Sequence, residues 1–172
     1  MTTLTRIAYG SETYHEVLAW VHDEAACLDE RRHRDWLDML TDDVRYRIPV
    51  RVTSAHSLDD SLREDMAHLD EDSYSLRKRV ERFETDHAWA EDPPSRTRRH
   101  ISNVRAWEAG DDLEVRSNVL LFRSRGDIHT PDLVSAGRVD RLRREPDGLK
   151  LADRVVALDE SVVRMQNFAV FI

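Results

Sequence analysis

Val44-Arg-Tyr-Arg-Ile-Pro-Val-Arg-Val52 is the stretch at which this chain changes period. Val44, Tyr46, Ile48, Val50 and Val52 alternate with Arg45, Arg47, Pro49 and Arg51, the pattern of a strand with one buried and one wet face. Pro49 lacks the amide proton that a central strand donates to its neighbour, so it marks this strand as an edge. Everything upstream is spaced as helix, and most of what lies downstream is spaced as strand.

Upstream, Ser11 or Thr13 can cap a helix, with Thr13 and Glu16 at capping-box spacing. Leu18, Val21, Ala25 and Leu28, joined by Tyr14 and Val17, form its apolar stripe. The charged run Asp29 to His33 breaks it, and a short second helix follows with Trp36, Met39 and Leu40 on its buried side. Thr41-Asp42-Asp43 reads as a turn into the strand. Downstream, residues 53–72 are acidic and poorly patterned, which predicts a loop. Ser73 then opens a third helix with Leu76, Val80 and Phe83 on one face. Strands are predicted near 97–108, 112–124, 132–144 and 149–160, separated by turn residues at Gly110-Asp111, Gly126-Asp127 and Pro146-Asp147-Gly148. The tail Phe168-Ala-Val-Phe-Ile172 is apolar throughout and is expected to be paired and buried.

Helices followed by a meander of long strands define the α+β class, not alternating α/β. A curved antiparallel sheet wrapped on the N-terminal helices hides both apolar surfaces, giving a cone of the cystatin-like or NTF2-like shape. With 172 residues, the chain suits one domain spanning 1–172. Such cones either hold a small-molecule pocket or serve as assembly blocks.

Composition removes several functions. A net charge of −8 speaks against a nucleic-acid footprint, which needs a dominant basic face. No apolar run reaches membrane length and Met1 to Gly10 lacks a signal-peptide core, so a soluble cytoplasmic protein is expected. Cys27 is the single cysteine, placed in a helical apolar pattern, and reads as a buried inert thiol. One cysteine also forbids a Rieske cluster, whose irons take two cysteines and two histidines. His15 and His22 are seven apart, two helical turns, too far to share one ion unaided. The five glycines are scattered and build no phosphate loop, and no Gly-x-Ser-x-Gly elbow occurs. One acid–base constellation stays open: Tyr46, His100 and Asp153 would form a lyase or isomerase site if they converged inside the cone. The alternative is that Tyr46 is core, His100 a satisfied strand histidine and Asp153 an arginine partner.

Ala88-Trp-Ala-Glu-Asp-Pro-Pro-Ser-Arg-Thr-Arg-Arg-His-Ile-Ser-Asn103 carries the most distinctive order of residues. Pro93-Pro94 fixes two φ angles, so neither helix nor central strand passes through it. Trp89, two acids and three arginines surround that kink. The loop is either a solvated connector with local salt bridges or a rigid element held against a partner.

Four blocks resemble the small (β) subunit of bacterial aromatic-ring-hydroxylating dioxygenases. They are Glu24-Ala-Ala-Cys-Leu-Asp-Glu-Arg-Arg-His-Arg-Asp-Trp-Leu-Asp-Met-Leu-Thr-Asp-Asp-Val-Arg-Tyr-Arg-Ile-Pro-Val50, Trp89 through Asn103, Val115-Arg-Ser-Asn-Val-Leu-Leu-Phe-Arg-Ser-Arg125, and Asn167-Phe-Ala-Val-Phe-Ile172. They recur in order from about residue 15 to the end, with residues 53–72 the weak region. The resemblance implies a structural, non-catalytic subunit that joins a larger α subunit and other β subunits, commonly as an α3β3 hexamer. It places the Rieske 2Fe-2S cluster, the mononuclear Fe(II) and the substrate pocket on the α chain, with electrons from NADH arriving there through separate components. It carries no catalytic, cofactor or metal residue onto this chain. The implied reaction adds both atoms of O2 to an aromatic ring, and the Pro-Pro loop is similar to that of the toluene-, biphenyl- and polycyclic-hydrocarbon-type members, which implies an aromatic hydrocarbon or a simple aromatic acid as substrate. Trp89, Pro93, Pro94, Arg96 and Arg98, with Phe168 and Phe171 of the tail, are the candidate subunit contacts.

Overall fold

The structure is a computed structural model that describes residues 4–53, 61–85, 91, 93–127, 129–165 and 167–172, apart from the side chain of Glu64. After a two-residue strand, β1 (Thr5–Arg6), Ser11 caps helix α1 (Glu12–Asp29) by accepting from Tyr14 N at 3.2 Å. Val17, Trp20, Val21, Ala25 and Leu28 form its buried stripe, and Glu24 is buried among them. The chain leaves α1 with Arg31 at φ 61°, in the left-handed region, while Arg32 N bonds Cys27 O at 2.9 Å. Helix α2 (His33–Asp38) then sets Trp36 into the core with no exposed surface.

Strand β2 (Leu40–Arg51) begins earlier than its pattern suggests. Thr41 to Asp43 are extended, not a turn, and the Thr41 hydroxyl donates to Leu151 O at 3.3 Å. Residues 62–72 correct the expectation of a loop: Leu62–Asp72 is strand β3, antiparallel to β2. Being an edge strand, it can be acidic and still pair on one side. Its C-terminal Asp72 caps helix α3 (Ser73–Phe83) in a reciprocal capping box with Ser75, and Leu76 and Val80 are buried. Strands β4 (Ser95–Ala109), β5 (Asp112–Arg125), β6 (Asp132–Glu145) and β7 (Gly148–Leu158) complete a meander close to the predicted spans. The turn between β4 and β5 needs φ 72° at Gly110, which costs a glycine nothing.

The sheet order is β1-β4-β5-β6-β7-β2-β3, an open sheet folded over the helices. Two departures from the expectation follow. β2 pairs in parallel with β7, so the sheet is not wholly antiparallel. β2 is therefore interior, and Pro49 is tolerated because the ladder to β3 shifts register on both sides of it.

Val170 to Ile172 of the tail are buried, as expected, but Phe168 and Ala169 are half-buried and the tail is not a strand. Side chains hold its backbone instead: the Tyr46 hydroxyl accepts from Ile172 N and donates to Ile172 O, each at 2.8 Å, and Arg79 donates to Phe168 O at 2.9 Å. Arg99 binds Phe171 O. Phe171 is 2% exposed and stacks on Trp36 at 4.3 Å between centroids, so its ring belongs to this chain's own core and has no surface for a partner.

His33 sits against Phe83 and Phe171, and burial, then the charges of Arg31 and Arg99, hold its imidazole down at about 4 against an ordinary 6.5. The unfolded chain therefore binds the extra proton first, and stability falls as pH drops from 6.5 towards 4. His33→Phe is expected to flatten that part of the stability profile. Urea midpoints of both proteins at several pH values across that window check it, and parallel profiles would refute the assignment.

Candidate functional site

The interior of the cone holds charge. Glu24 from α1, Arg138 and Asp140 from β6 and Arg154 from β7 all have side chains with 0% exposure. Arg154 grips both acids in two-point fashion. Its Nη1 and Nη2 donate to Glu24 Oε1 and Oε2 at 2.6 and 2.9 Å, and its Nε and Nη2 donate to Asp140 Oδ1 and Oδ2 at 2.7 and 2.9 Å. Arg138 Nη1 donates to Glu24 Oε2 at 3.2 Å and its Nε to Ser117 Oγ at 3.4 Å. Trp36 Nε1 closes the set on Glu24 Oε1 at 3.1 Å.

Two cations and two anions cancel, which is what permits charge in so dry a place. Burial alone would raise the Glu24 carboxyl. Arg154 and Arg138 outweigh it, with the hydrogen bonds from Arg154 and Trp36, and hold the group at about 2. Both Glu24 oxygens accept two bonds each, so neither can take a proton from a substrate. Arg154, opposed by burial but held by Asp140 and Glu24, is pushed above its ordinary range and stays charged. The quartet does the work of a plug, not of an acid–base pair.

The three residues of the acid–base alternative do not meet. Tyr46 is fully buried, its hydroxyl engaged by Ile172 and its pKa raised by burial. His100 is exposed on the outer face of β4. Asp153 is half-buried beside Arg45 of β2, with burial raising its carboxyl. Both failures have one cause. Asn103, at φ 52°, lies in a register shift of β4, and Ala152 lies in one of β7. Each extra residue flips the alternation, turning His100 and Asp153 outward and Arg154 inward.

Cys27 is buried, donates to Arg32 O at 3.0 Å, and has its thiol pushed up by burial, so it is no nucleophile. Among the described residues no three His, Cys, Asp or Glu side chains gather in a metal-binding group. A single cysteine cannot supply a Rieske donor set either, so the residues present do not fit that group.

The Pro-Pro loop is anchored. Glu91 is 8% exposed and takes Ser95 N and Ser95 Oγ at 3.0 Å each, while Arg123 Nη2 pairs with Glu91 Oε1 at 2.7 Å. Arg123 also donates to Ser95 Oγ at 2.9 Å and Asn167 Oδ1 at 3.1 Å, tying loop, sheet and tail together. Neighbouring Arg99 is paired with Asp29 of α1. Held this way, Pro93 and Pro94 are exposed, and so are Arg96 and Arg98 of β4. Phe168 is half-buried beside His68, at 5.3 Å between centroids, and Trp89 lies outside the described residues.

A curved α+β sheet over helices, its interior filled by a charge-neutral quartet, defines a cone-fold protein without an acid–base centre in that quartet. The family model described as the ring hydroxylating beta subunit matches residues 23–165. The chain belongs to this family of dioxygenase β subunits, the non-catalytic components of multicomponent ring-hydroxylating dioxygenases. It is 35% identical over 151 residues to the β subunit of N,N-dimethyl phenylurea N-demethylase of Sphingobium sp. strain YBL2, covering 87% of this chain and 85% of that one. It is 31% identical over 167 residues to the benzene 1,2-dioxygenase β subunit of Pseudomonas putida strain F1, covering 93% and 89%. A solved naphthalene 1,2-dioxygenase with indole in its active site matches with TM-score 0.82 and 30% identity over 92% of this chain and 84% of that chain. A putative scytalone dehydratase of Novosphingobium aromaticivorans shares the fold, with TM-score 0.64 and 12% identity over 90% and 89%.

Proposed function

We propose that this chain is the structural β subunit that builds the terminal oxygenase of an aromatic-ring dioxygenase, acting as one domain over residues 1–172. Its partner is an α subunit that supplies the Rieske cluster, the mononuclear iron and the substrate pocket, and the assembly is an α3β3 hexamer in the cytoplasm. The observation that carries this is the plugged interior: the cone's own acid–base candidates are sealed or turned outward, in a family named for a subunit. Aromatic compounds are the substrate class. The relatives' names, a benzene dioxygenase and a phenylurea N-demethylase, differ in reaction, which fits a β chain that does not set the chemistry. Pro93, Pro94, Arg96 and Arg98 are the contacts this reading assigns, with Trp89 and Phe168 as flanking candidates.

Purified alone, the chain is expected to be colourless, iron-free and inactive on aromatics. Co-expressed with the α subunit, it is expected to leave the column in one iron-containing complex of hexamer mass. Dihydroxylation activity in the isolated chain, or a chain that stays separate beside its α partner, would overturn the proposal.

A further inference from the structure

One phenyl ring in the cone is delivered by a segment that belongs to no helix or strand. Phe171 lies in the tail 167–172, and rings from the scaffold surround it. Trp36 stacks on it at 4.3 Å between centroids and 28° between planes. His33, Phe83 and Tyr46 meet it edge-on, at 6.1, 6.2 and 6.4 Å and at 73°, 87° and 75°. Stacked and T-shaped contacts are the arrangements in which aromatic quadrupoles attract. The walls of this cage stand on other elements than the tail. His33 and Trp36 sit on α2, Tyr46 on β2 and Phe83 at the end of α3, and Glu24 fixes the Trp36 indole through Nε1 at 3.1 Å. The ring's own segment is held by side chains that grip its backbone: Arg99 at Phe171 O, and the Tyr46 hydroxyl at Ile172 N and O. A crevice of about 20 Å³, room for one water-sized group, lies among Ala169, Val170, His33 and Phe83, so the tail is less closely packed on that side. Such a segment opens at lower free energy than the helices and strands beneath it.

We infer that this cage is a binding site for a small neutral aromatic ring, which Phe171 occupies as a tethered ligand and which a free ring enters when the tail lifts. The ligand class follows from the occupant in place, an uncharged phenyl ring stacked on an indole. The site lies within this chain alone, so it stands or falls independently of the α subunit.

Benzene and cyclohexane, rings of similar size that differ in their π-face, are the probes. Phe171→Ala empties the cage. The variant is expected to bind benzene, which raises its thermal midpoint, and to bind cyclohexane at least about 5-fold more weakly. Cyclohexane bound as tightly as benzene, or no binding by the folded variant, overturns the assignment. Wild type tests the tether without a substitution. Benzene binds only the state with the tail lifted, so amide exchange at Ile172 N is expected to accelerate about two-fold when benzene equals the Kd of the alanine variant. Exchange at Leu151 N, bonded to Met39 O at 2.9 Å, is expected to stay unchanged. Exchange at Ile172 that ignores benzene, or that rises together with Leu151, overturns the proposal. If Phe171→Ala does not fold, the wild-type comparison decides alone: near-saturating benzene is expected to accelerate Ile172 at least about two-fold, and cyclohexane less.

Discussion

Glu24→Ala is expected to destabilise the protein by about 3–5 kcal/mol, the cost of leaving buried cations without their counter-charge. Domains of this size hold only about 5–15 kcal/mol in total, so the variant should be largely insoluble or unfold at far lower urea. The reason is specific to the geometry. Among the described residues Glu24 is the one acid that accepts hydrogen bonds from both Arg138 and Arg154, and Asp140, which grips Arg154, meets Arg138 Nη2 only as an ion pair at 3.6 Å without a hydrogen bond. Removing Glu24 leaves Arg138 with a hydroxyl and a distant carboxylate. The fourfold apolar variant Glu24→Leu/Arg138→Met/Asp140→Leu/Arg154→Met is the informative contrast. It removes both signs together and is expected to fold with stability equal to or above wild type, by up to about 4 kcal/mol.

The same network fixes an acid limit. Glu24 is held at about 2 against an ordinary 4.5, so its contribution is complete above pH 4.5 and is lost as pH falls towards 2. The apolar variant should lack that component of acid unfolding. A Glu24→Ala protein within about 1 kcal/mol of wild type would show that the quartet carries no such stabilisation.

Much of this was legible in the sequence, and the exceptions have physical causes. Helix starts and the four long strands followed from period and turn residues because burial enforces both. Strand β3 escaped because its acids suit an edge position, where pairing on one side is enough and no apolar alternation is demanded. The quartet left a readable trace at three of its four members. Glu24 lies on the stripe between Val21 and Leu28, and Arg138 and Asp140 continue the inward alternation of Val134, Ala136 and Leu142. Opposite charges two apart on an apolar face, with an acid on a helix stripe, signal a buried pair in search of a partner. Arg154 left no trace, since the register shift at Ala152 reversed the parity of everything after it. That shift also made Asp153 look like a pocket residue when it faces outward. Bulges are invisible to a period-two reading, and they decide which side chains meet.

Arg123→Met is expected to be the second most damaging single change, at about 3 kcal/mol. Arg123 is 3% exposed and is the cation that balances Glu91 beneath the Pro-Pro loop. The loss should sit at the low end for a broken buried pair because Glu91 keeps its bonds from Ser95 N and Oγ and lies close enough to the surface to regain water. What distinguishes this variant from Glu24→Ala is where the damage goes. The core packing of Trp36 and Phe171 does not depend on Arg123, so the fold should persist while the loop and the Asn167 segment loosen. Hydrogen exchange at Ser95 N, protected in wild type by Glu91 Oε2, should accelerate well before global unfolding. Combining it with Glu91→Gln should cost less than the sum of the single changes, with a coupling of about 1.5 kcal/mol or more, since both remove one interaction. If the loop serves assembly, Arg123→Met should also bind the α subunit poorly at temperatures where it is fully folded. Additive energetics, or unchanged exchange at Ser95, would show that the loop is held by something other than this ion pair.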